Sequence, residues 1–354
     1  MSDLIQTSLE LIRAGQAPSG GYQASPTFPT YRYSWYRDGA FIAYAMDLYG
    51  EHDSAARFHA WAARAIVDRQ VVVGRALAKA AAGQPLGEAD ILHTRYGLDG
   101  READEAWPNF QLDGFGAWLW ALNEHRVRAG SELSGEMLAG AGLAADYLRG
   151  LWRLPCYDCW EEFPDQIHAY TLAAIHGGLA AYAHVAGSSE DETLAAIGDF
   201  LQANLRRGAA YVKFVGSTEV DASLLGLALP FRVVEPADPA VRATVERIES
   251  ELRVGGVHRY RADSYYGGGE WVLLAGWLGW YYANIGQSDR ARQLLAWIEA
   301  QADERGWLPE QVAHSLNAPA QLEPWRQRWG PSARPLLWSH AKYLILRKAL
   351  GSER

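Results

Sequence analysis

Apolar residues recur with the 3.6-residue period of an α-helix along nearly the whole chain, which leaves little sequence for a β-sheet. Alternating strand patterns are confined to two short stretches, YVKFV at 211–215 and FRVV at 231–234. The sequence therefore predicts an all-α fold. The helical segments are residues 3–14, 38–49, 53–74, 110–127, 135–150, 166–185, 189–207, 220–229, 238–252, 269–284, 287–302 and 334–349.

These segments are of two kinds, and the two kinds alternate along the chain. Segments that begin near 53, 135, 189, 238 and 287 carry charged residues on one face, as surface helices do. Segments that begin near 38, 110, 166, 220, 269 and 334 are rich in Ala, Gly, Leu, Trp and Tyr around most of their circumference, as buried helices are. We therefore predict a single (α/α)6 barrel domain over residues 1–354, with six parallel inner helices and six outer ones. The 75–109 segment is expected to form a long loop with a mobile start.

Aromatic and charged residues concentrate where the inner helices begin. Since parallel inner helices begin at one end of a barrel, these residues should line one funnel at that end. They are Trp35, Arg37, Asp38, Trp107, Gln111, Trp160, Glu161, Glu162, Arg259, Tyr260, Glu310, Gln311 and Trp338.

Composition narrows the class of partner. A formal charge of -9 argues against nucleic acid and against an anionic membrane, and no apolar run is long enough to span a bilayer. The amino terminus lacks the features of a signal peptide, so we expect a cytoplasmic protein. Fifteen Trp and 18 Tyr, many of them in loop-like stretches, suit a site that binds a neutral sugar, because these rings combine an apolar face with a polar group.

Two acidic spots set carboxyl groups beside apolar or aromatic residues: WEE at 160–162 and PEQ at 309–311. Glycoside hydrolysis needs one protonated carboxyl group and one ionised carboxylate, and both have candidates here. Burial against an indole and an adjacent like charge both favour the protonated form, so the residues alone leave either Glu161 or Glu162 as the acid.

Cysteine and histidine provide little evidence for a metal. Cys156 and Cys159 have C-x-x-C spacing, but no second Cys or His pair in the sequence completes a zinc site, and we interpret them as wall residues. The histidines are scattered without ligand spacing. We predict neither a metal nor a cofactor.

Five motifs follow one another along the chain: YRYSWYRD, W-x-x-x-Q-x-D-G, YDCWEE, RYRADSYYGGGEW, and EQ followed by WS-x-A. Together they resemble the motifs of the glucoamylases and related α-glucosidases of glycoside hydrolase family fifteen. The resemblance implies that Glu161 is the general acid and Glu310 the general base. It assigns substrate contacts to Arg37, Asp38, Glu162 and Arg259, with Tyr31 and Trp35 as walls, and a stacking role to Trp107.

The resemblance implies an inverting, exo-acting α-glucosidase that releases β-D-glucose from non-reducing ends. Inversion requires about 6.5–9.5 Å between the two carboxyl groups, and we predict that separation for Glu161 and Glu310. With no starch-binding module and no N-terminal β-sandwich expected, we favour short malto- or isomalto-type oligosaccharides, with α-1,4 and α-1,6 linkages both open. The alternatives are another (α/α)6 glycosidase, such as a trehalase-like enzyme or an unsaturated uronyl hydrolase, and a non-catalytic toroid that binds carbohydrate.

Overall fold

The computed structural model describes residues 4–351, and within this range the chain is mostly helical. The α-helices are α1 (Leu4–Ala14), α2 (Tyr36–Leu48), α3 (His52–Val67), α4 (Gln70–Ala81), α5 (Asp113–Ala129), α6 (Gly135–Leu151), α7 (Ala169–Ala186), α8 (Asp191–Asn204), α9 (Pro239–Leu252), α10 (Val272–Asn284), α11 (Ser288–Glu299), α12 (Leu322–Trp329) and α13 (Leu337–Gly351).

Six elements form a closed inner ring. Contacts run from α2 to α5, α7, a 3-10 helix at Ala222–Leu227, α10 and α13, and from α13 back to α2. Each inner element packs against an outer helix: α3 on α2, α6 on α5, α8 on α7, α9 on the 3-10 helix, α11 on α10 and α1 on α13. The predicted (α/α)6 barrel is therefore confirmed, and the N-terminal helix α1 supplies the sixth outer position.

The two rings differ in how they bury their side chains. The inner helix α10, VLLAGWLGWYYAN, is buried over nearly its full length because it has neighbours on all sides. The outer helix α11 buries Ala291, Leu294, Leu295 and Ile298, which lie on one face at three- and four-residue spacing. This difference in burial confirms the alternation that composition predicts.

The structure corrects the predicted boundaries in three places. The helix predicted over 53–74 is two helices, α3 and α4, and α4 continues to Ala81 where a mobile loop was expected. The fourth inner element is a short 3-10 helix whose start is capped by Asp221, which accepts from the backbone N–H of Ser223. Helix α12 was not predicted.

Short strand pairs tie the loops together at the ends of the helices. They are β1 (Ser34–Trp35) with β2 (Arg95–Tyr96), β3 (Arg206–Arg207) with β4 (Ala210–Tyr211), and β5 (Glu270–Trp271) with β6 (Gln311–Val312), all antiparallel. Of the predicted strands, the one at 211–215 is reduced to Tyr211 at the end of β4 and an isolated bridge between Phe214 and His168, and the one at 231–234 is wrong. Within residues 4–351, no helix has the length and apolarity to cross a membrane.

Candidate active site

A cavity of about 330 Å³ opens where α2, α10 and α13 begin, next to the loop that precedes α7. Loops and helix starts far apart in sequence contribute its walls. Of the residues predicted to form the site, those that line it are Tyr31, Trp35, Arg37, Asp38, Trp107, Trp160, Glu161, Glu162, Arg259, Glu310 and Trp338. The structure therefore brings these residues together on one cavity.

Glu161 is held through one of its two carboxyl oxygens. Its Oε1 accepts from the indole Nε1 of Trp35 over 2.8 Å and from that of Trp107 over 3.0 Å, with Gln111 Nε2 at 3.4 Å. No hydrogen bond to Oε2 is found among the described residues, so this oxygen is available to carry a proton. Two indoles therefore fix the orientation of the group and leave one oxygen for chemistry.

The backbone of the turn from Asp158 to Phe163 also orients Glu161. The side chain of Asp158 accepts from the backbone N–H groups of Trp160 and Glu162, each over 2.9 Å. Glu161 has a φ of 69°, in the left-handed region that non-glycine residues rarely adopt. Such strain is commonly retained at functional sites, where the surrounding contacts impose it.

Glu310 also lines the cavity. It lies directly before β6 and is 3% exposed. Its Oε1 accepts from the hydroxyl of Tyr31 over 2.9 Å, and its Oε2 accepts from Ser332 over 3.2 Å. Because Tyr31 donates its proton to Glu310, Tyr265 must be the donor in the 2.9 Å contact between the two hydroxyls. Burial raises the pKa of Glu310 to about 7, against the opposing effect of the Tyr31 and Ser332 hydrogen bonds.

Arg37 and Asp38 form the floor at the start of α2. Arg37 Nη1 donates to Gln111 over 2.9 Å and to Asp113 over 3.1 Å, so its guanidinium is fixed from behind. Burial raises the pKa of Asp38 to about 7, opposed by Arg37 and reinforced by Glu161. Asp38 therefore presents a buried carboxyl group to the cavity with a cation alongside.

Glu162 faces the cavity beside Arg259. Its Oε2 accepts from the hydroxyl of Tyr260 over 2.6 Å, and its Oε1 lies 3.4 Å from Arg259 Nη2. Burial raises the pKa of Glu162, and Arg259 and the Tyr260 hydrogen bond oppose that effect. Arg259 is itself bound to Asp263 through Nε and Nη2, which fixes the plane of its guanidinium.

Three residues predicted to contact substrate lie outside the cavity lining. Gln111 is fully buried behind Arg37 and Glu161 and holds both. Tyr260 acts on Glu162 through its hydroxyl. Gln311 lies in β6, where it pairs with Trp271 of β5, and its side chain accepts from the backbone N–H of Gly269 over 3.0 Å. These residues support the lining instead of forming it, because their side chains are occupied by hydrogen bonds to other protein groups.

The structure also adds lining residues that the sequence analysis missed. Helix α12 contributes Trp325, Arg328 and Trp329, which share one helical face at i, i+3 and i+4. That spacing in EPWRQRW is a signal that could have identified this helix, although it is only eight residues long. Further lining residues from other loops include Phe28, Tyr265 and Trp271.

Arg95 is a further residue that sequence reasoning missed, and it supports the aromatic wall. Its side chain is fully buried, with the guanidinium carbon 3.6 Å from the ring centre of Trp107 and 4.1 Å from that of Tyr33. Its Nη1 donates to the backbone carbonyl of Thr30 over 2.9 Å. Since Trp107 donates to Glu161, Arg95 holds a hydrogen-bond partner of Glu161 in place.

The barrel opens into a funnel lined by Trp and Tyr side chains, and the funnel holds two carboxyl groups: Glu161, anchored by hydrogen bonds, and Glu310, which is buried. This combination is typical of a glycoside hydrolase. Residues 2–348 match the family described as Glycosyl hydrolases family 15, and the chain belongs to this family. It is a glycoside hydrolase that acts on α-glucosidic bonds by the inverting mechanism general to the family.

Two relatives illustrate the range of similarity. An isomaltose glucohydrolase of Kribbella flavida is 41% identical over 99% of this chain and 93% of its own length. An uncharacterised glycosyl hydrolase of Methanocaldococcus jannaschii is 29% identical over 92% of this chain, which spans 52% of that protein.

Solved structures agree with the fold. A glycosidase solved in complex with glucose superposes with a TM-score of 0.94 at 41% identity, covering 98% of this chain and 96% of its own. A bacterial glucoamylase complexed with acarbose has a TM-score of 0.76 at 21% identity, over 98% of this chain and 55% of that chain. The second likeness is at the level of fold.

Proposed function

We propose that this protein removes single glucose units from the non-reducing ends of short α-1,6-linked gluco-oligosaccharides, with isomaltose as the smallest substrate. The observation that carries the reaction is the pair Glu161 and Glu310 on the lining of one cavity, one anchored through a single oxygen and the other buried. The similarity to an isomaltose glucohydrolase over 99% of the chain supports the linkage.

Glu161 is the general acid in this proposal. The two indole N–H groups occupy Oε1, so the proton resides on Oε2 and passes to the glycosidic oxygen as the bond to the anomeric carbon breaks. The leaving sugar departs as a neutral alcohol.

Glu310 is the general base. As its carboxylate takes a proton from water, the water oxygen bonds to the anomeric carbon on the face opposite the leaving group, which gives β-D-glucose from an α-glucoside. The hydroxyl of Tyr31 orients the Glu310 carboxylate. We predict about 6.5–9.5 Å between the Glu161 and Glu310 carboxyl groups, the space that such a water requires.

The remaining lining residues bind the sugar. Asp38 and Arg37 offer an acceptor and donors for hydroxyls of the terminal glucose, while Trp35 and Trp338 offer apolar faces. Glu162 and Arg259 offer charged contacts to the next sugar. Gln111 holds Arg37 and Tyr260 holds Glu162, whereas Gln311 holds the backbone at Gly269. A neutral oligosaccharide is the partner that this chemistry favours, and the exclusion of nucleic acid and the cytoplasmic location remain predictions from charge and sequence.

The substrate is tested by incubating the protein with isomaltose, panose, maltose and trehalose while the anomer of released glucose is followed by NMR. We expect β-glucose first, with a higher kcat/KM for isomaltose than for maltose. Trehalose belongs in the panel because a trehalase of Sulfolobus acidocaldarius is 30% identical over 42% of this chain. Preference for trehalose would replace the substrate proposal, and no turnover of any sugar would favour a binding toroid.

The base is tested by Glu310→Gln. Loss of a general base should lower kcat by about 10²- to 10⁴-fold, while binding of isomaltose, measured by calorimetry, stays within a few-fold of the unchanged protein. Glu192→Gln is the matched control, since Glu192 is exposed on α8 and far from the chemistry. A Glu310→Gln enzyme that retains its kcat would remove Glu310 from the base role.

A further inference from the structure

A cluster of imidazoles and one carboxylate lies at the opposite end of the barrel from the cavity. Asp47 is in the last turn of α2, His52 begins α3 and His125 lies five residues from the end of α5, counting Ala129 as the last. At a rise of about 1.5 Å per residue, Asp47 is roughly 16 Å along α2 from the start of that helix, where the cavity lies. The cluster therefore plays no part in binding the sugar.

The ligand atoms of these three residues are already close together. His52 Nδ1 is 2.8 Å from Asp47 Oδ1, and His125 Nδ1 is 2.9 Å from the same oxygen. One nitrogen from each imidazole and one carboxylate oxygen lie within 4.8 Å of one another. Zn–N and Zn–O bonds of about 2.0–2.2 Å place tetrahedral ligands about 3.3 Å apart, which is about half an ångström beyond each of these two N···O separations.

The charge of Asp47 also lacks an ordinary partner. Its side chain is 0% exposed, and the ion pairs recorded for it among residues 4–351 are with the two imidazoles, not with Lys or Arg. A buried carboxylate normally requires a cationic partner or a coordinated metal. A divalent cation held between Asp47 and the two imidazoles would supply that charge.

A third imidazole adds an independent observation. His59 is 0% exposed, and its ring lies against that of His125 with centroids 5.1 Å apart. Neither of its nitrogens has a hydrogen-bond partner in the described part of the chain. A buried imidazole without hydrogen-bond partners, packed against the imidazole of His125, is unusual for a purely structural core.

We propose that Asp47, His52 and His125 form a binding site for Zn²⁺ or a similar borderline divalent cation, with His59 as an adjacent imidazole. In the metal-free protein both Nδ1 atoms must donate to Asp47, because a carboxylate only accepts. Binding moves each proton to Nε2 when the imidazole is neutral, and it releases one proton from any imidazole that is charged. The side chain of His52 is 37% exposed, which gives the ion a path from solvent and leaves the fourth position to water.

The role of the site is structural. It joins the end of α2 to the start of α3 and to the end of α5, three elements of neighbouring hairpins. A ligand that binds only the folded state stabilises it by mass action, so Zn²⁺ should raise the melting temperature without changing kcat on isomaltose.

The experiment uses the full chain after treatment with EDTA and dialysis. Calorimetric titration with Zn²⁺ should show one ion per chain, and the melting temperature should rise and return to its starting value when EDTA is added. Co²⁺ should give the intense visible absorption of tetrahedral coordination in place of the weak spectrum of the hydrated ion.

His52→Gln tests the ligands with little risk to folding, because His52 is partly exposed. Since loss of an outer-shell partner alone costs about 10- to 100-fold in metal affinity, loss of a ligand should cost at least about 100-fold. His184→Gln, which removes an exposed imidazole on α7, should bind Zn²⁺ as the unchanged protein does. Absence of Zn²⁺ binding, an octahedral Co²⁺ spectrum, or equal affinity in His52→Gln would each overturn the proposal. The Co²⁺ spectrum decides the matter even if the variant does not fold.

Discussion

At the scale of single residues, the two proposed catalytic carboxyl groups are controlled by different means. Hydrogen bonds from two indoles orient Glu161, whereas burial sets the protonation of Glu310. A general base works only when deprotonated, so activity should be lost as the pH falls through the pKa of Glu310, about 7. The acidic limb of the pH profile should therefore lie well above the ordinary range of a glutamate.

Tyr31→Phe should move that limb to higher pH. The Tyr31 hydroxyl donates to Glu310 and lowers its pKa, so removal of the hydroxyl raises the pKa and shifts loss of activity upward. The pH dependence of kcat/KM on isomaltose provides the measurement. Tyr33→Phe is the matched control, because the Tyr33 hydroxyl bonds to Glu105 at the surface. An unshifted limb in Tyr31→Phe would mean that another group titrates there.

Lys213 fixes the turn that carries Glu161, although the sequence analysis assigned it no role. Its ammonium lies 2.9 Å from Asp221 and 3.4 Å from Asp158, and 3.3 Å from the ring centre of Tyr260. Asp221 in turn accepts from the indole of Trp160 over 3.0 Å. Removal of the cation leaves two buried carboxylates without compensation, so Lys213→Met should cost about 3–5 kcal/mol in the free energy of unfolding.

A double-mutant cycle separates this charge effect from loss of packing. Asp221→Asn keeps an acceptor for the Trp160 indole and removes one of the two negative charges. Denaturant unfolding of Lys213→Met, Asp221→Asn and the double variant should show the double to be less destabilised than the sum of the singles. Strict additivity would contradict the pairing of Lys213 with Asp221.

At the scale of elements, glycines set how closely α5 and α7 approach. A Cβ at Gly116 would lie 2.2 Å from the backbone oxygen of Ala174, and one at Gly178 would lie 2.5 Å from the backbone oxygen of Gly116. Backbone packs on backbone at this crossing, so added side chains cannot be accommodated by a rotamer change. The two inner helices must separate if either glycine gains a side chain.

Gly116→Ala should therefore destabilise the protein by several kcal/mol, more than the gain in helix propensity can offset. Gly198→Ala on α8 is the matched control, since a Cβ there meets nothing within 4 Å. It should be neutral or should stabilise by about 0.5–1 kcal/mol. Thermal unfolding of both variants provides the comparison, and equal effects would show that the α5 and α7 crossing tolerates a methyl group.

At the scale of the whole molecule, buried carboxyl groups in the funnel lower the stability of the folded protein when they are ionised. Burial raises the pKa values of Glu310 and Asp38 to about 7 in the folded state, above those of the unfolded chain. The stabilising contribution of such a group is fully present below its unfolded pKa and is lost as the pH rises through its folded pKa. For Glu310, the shift from 4.5 to about 7 corresponds to about 3 kcal/mol.

Glu310→Gln should accordingly gain stability relative to the unchanged protein as the pH rises from 5 to 8. The amide cannot ionise, so its buried position carries no cost at high pH. The measurement is the difference in melting temperature between the two proteins across this range, with Glu192→Gln as the control that shows no pH-dependent difference. A constant difference for Glu310→Gln would show that Glu310 is ionised at little cost in the folded protein.

Much of this architecture could be predicted from sequence, because the signals are local. The 3.6-residue period identified the helices, and composition separated buried from exposed ones, since α10 and α11 differ in how many of their faces are apolar. The placement of WEE and PEQ before inner helices then located the cavity. The acid and base were chosen by resemblance to a family, because adjacency alone left Glu161 and Glu162 equivalent.

The tertiary structure decided which side chains reach the cavity and which hold them. Gln111 and Trp107 lie four residues apart in the sequence, yet Gln111 is buried behind the cavity lining and Trp107 is part of the lining. The cluster of Asp47, His52 and His125 escaped sequence analysis because its members lie on three separate elements, whereas α12 was missed because its helical spacing extends over only eight residues. The sequence by itself determined helix type and order through local periodicity, whereas three-dimensional packing alone set the distances between remote groups and hence the chemistry.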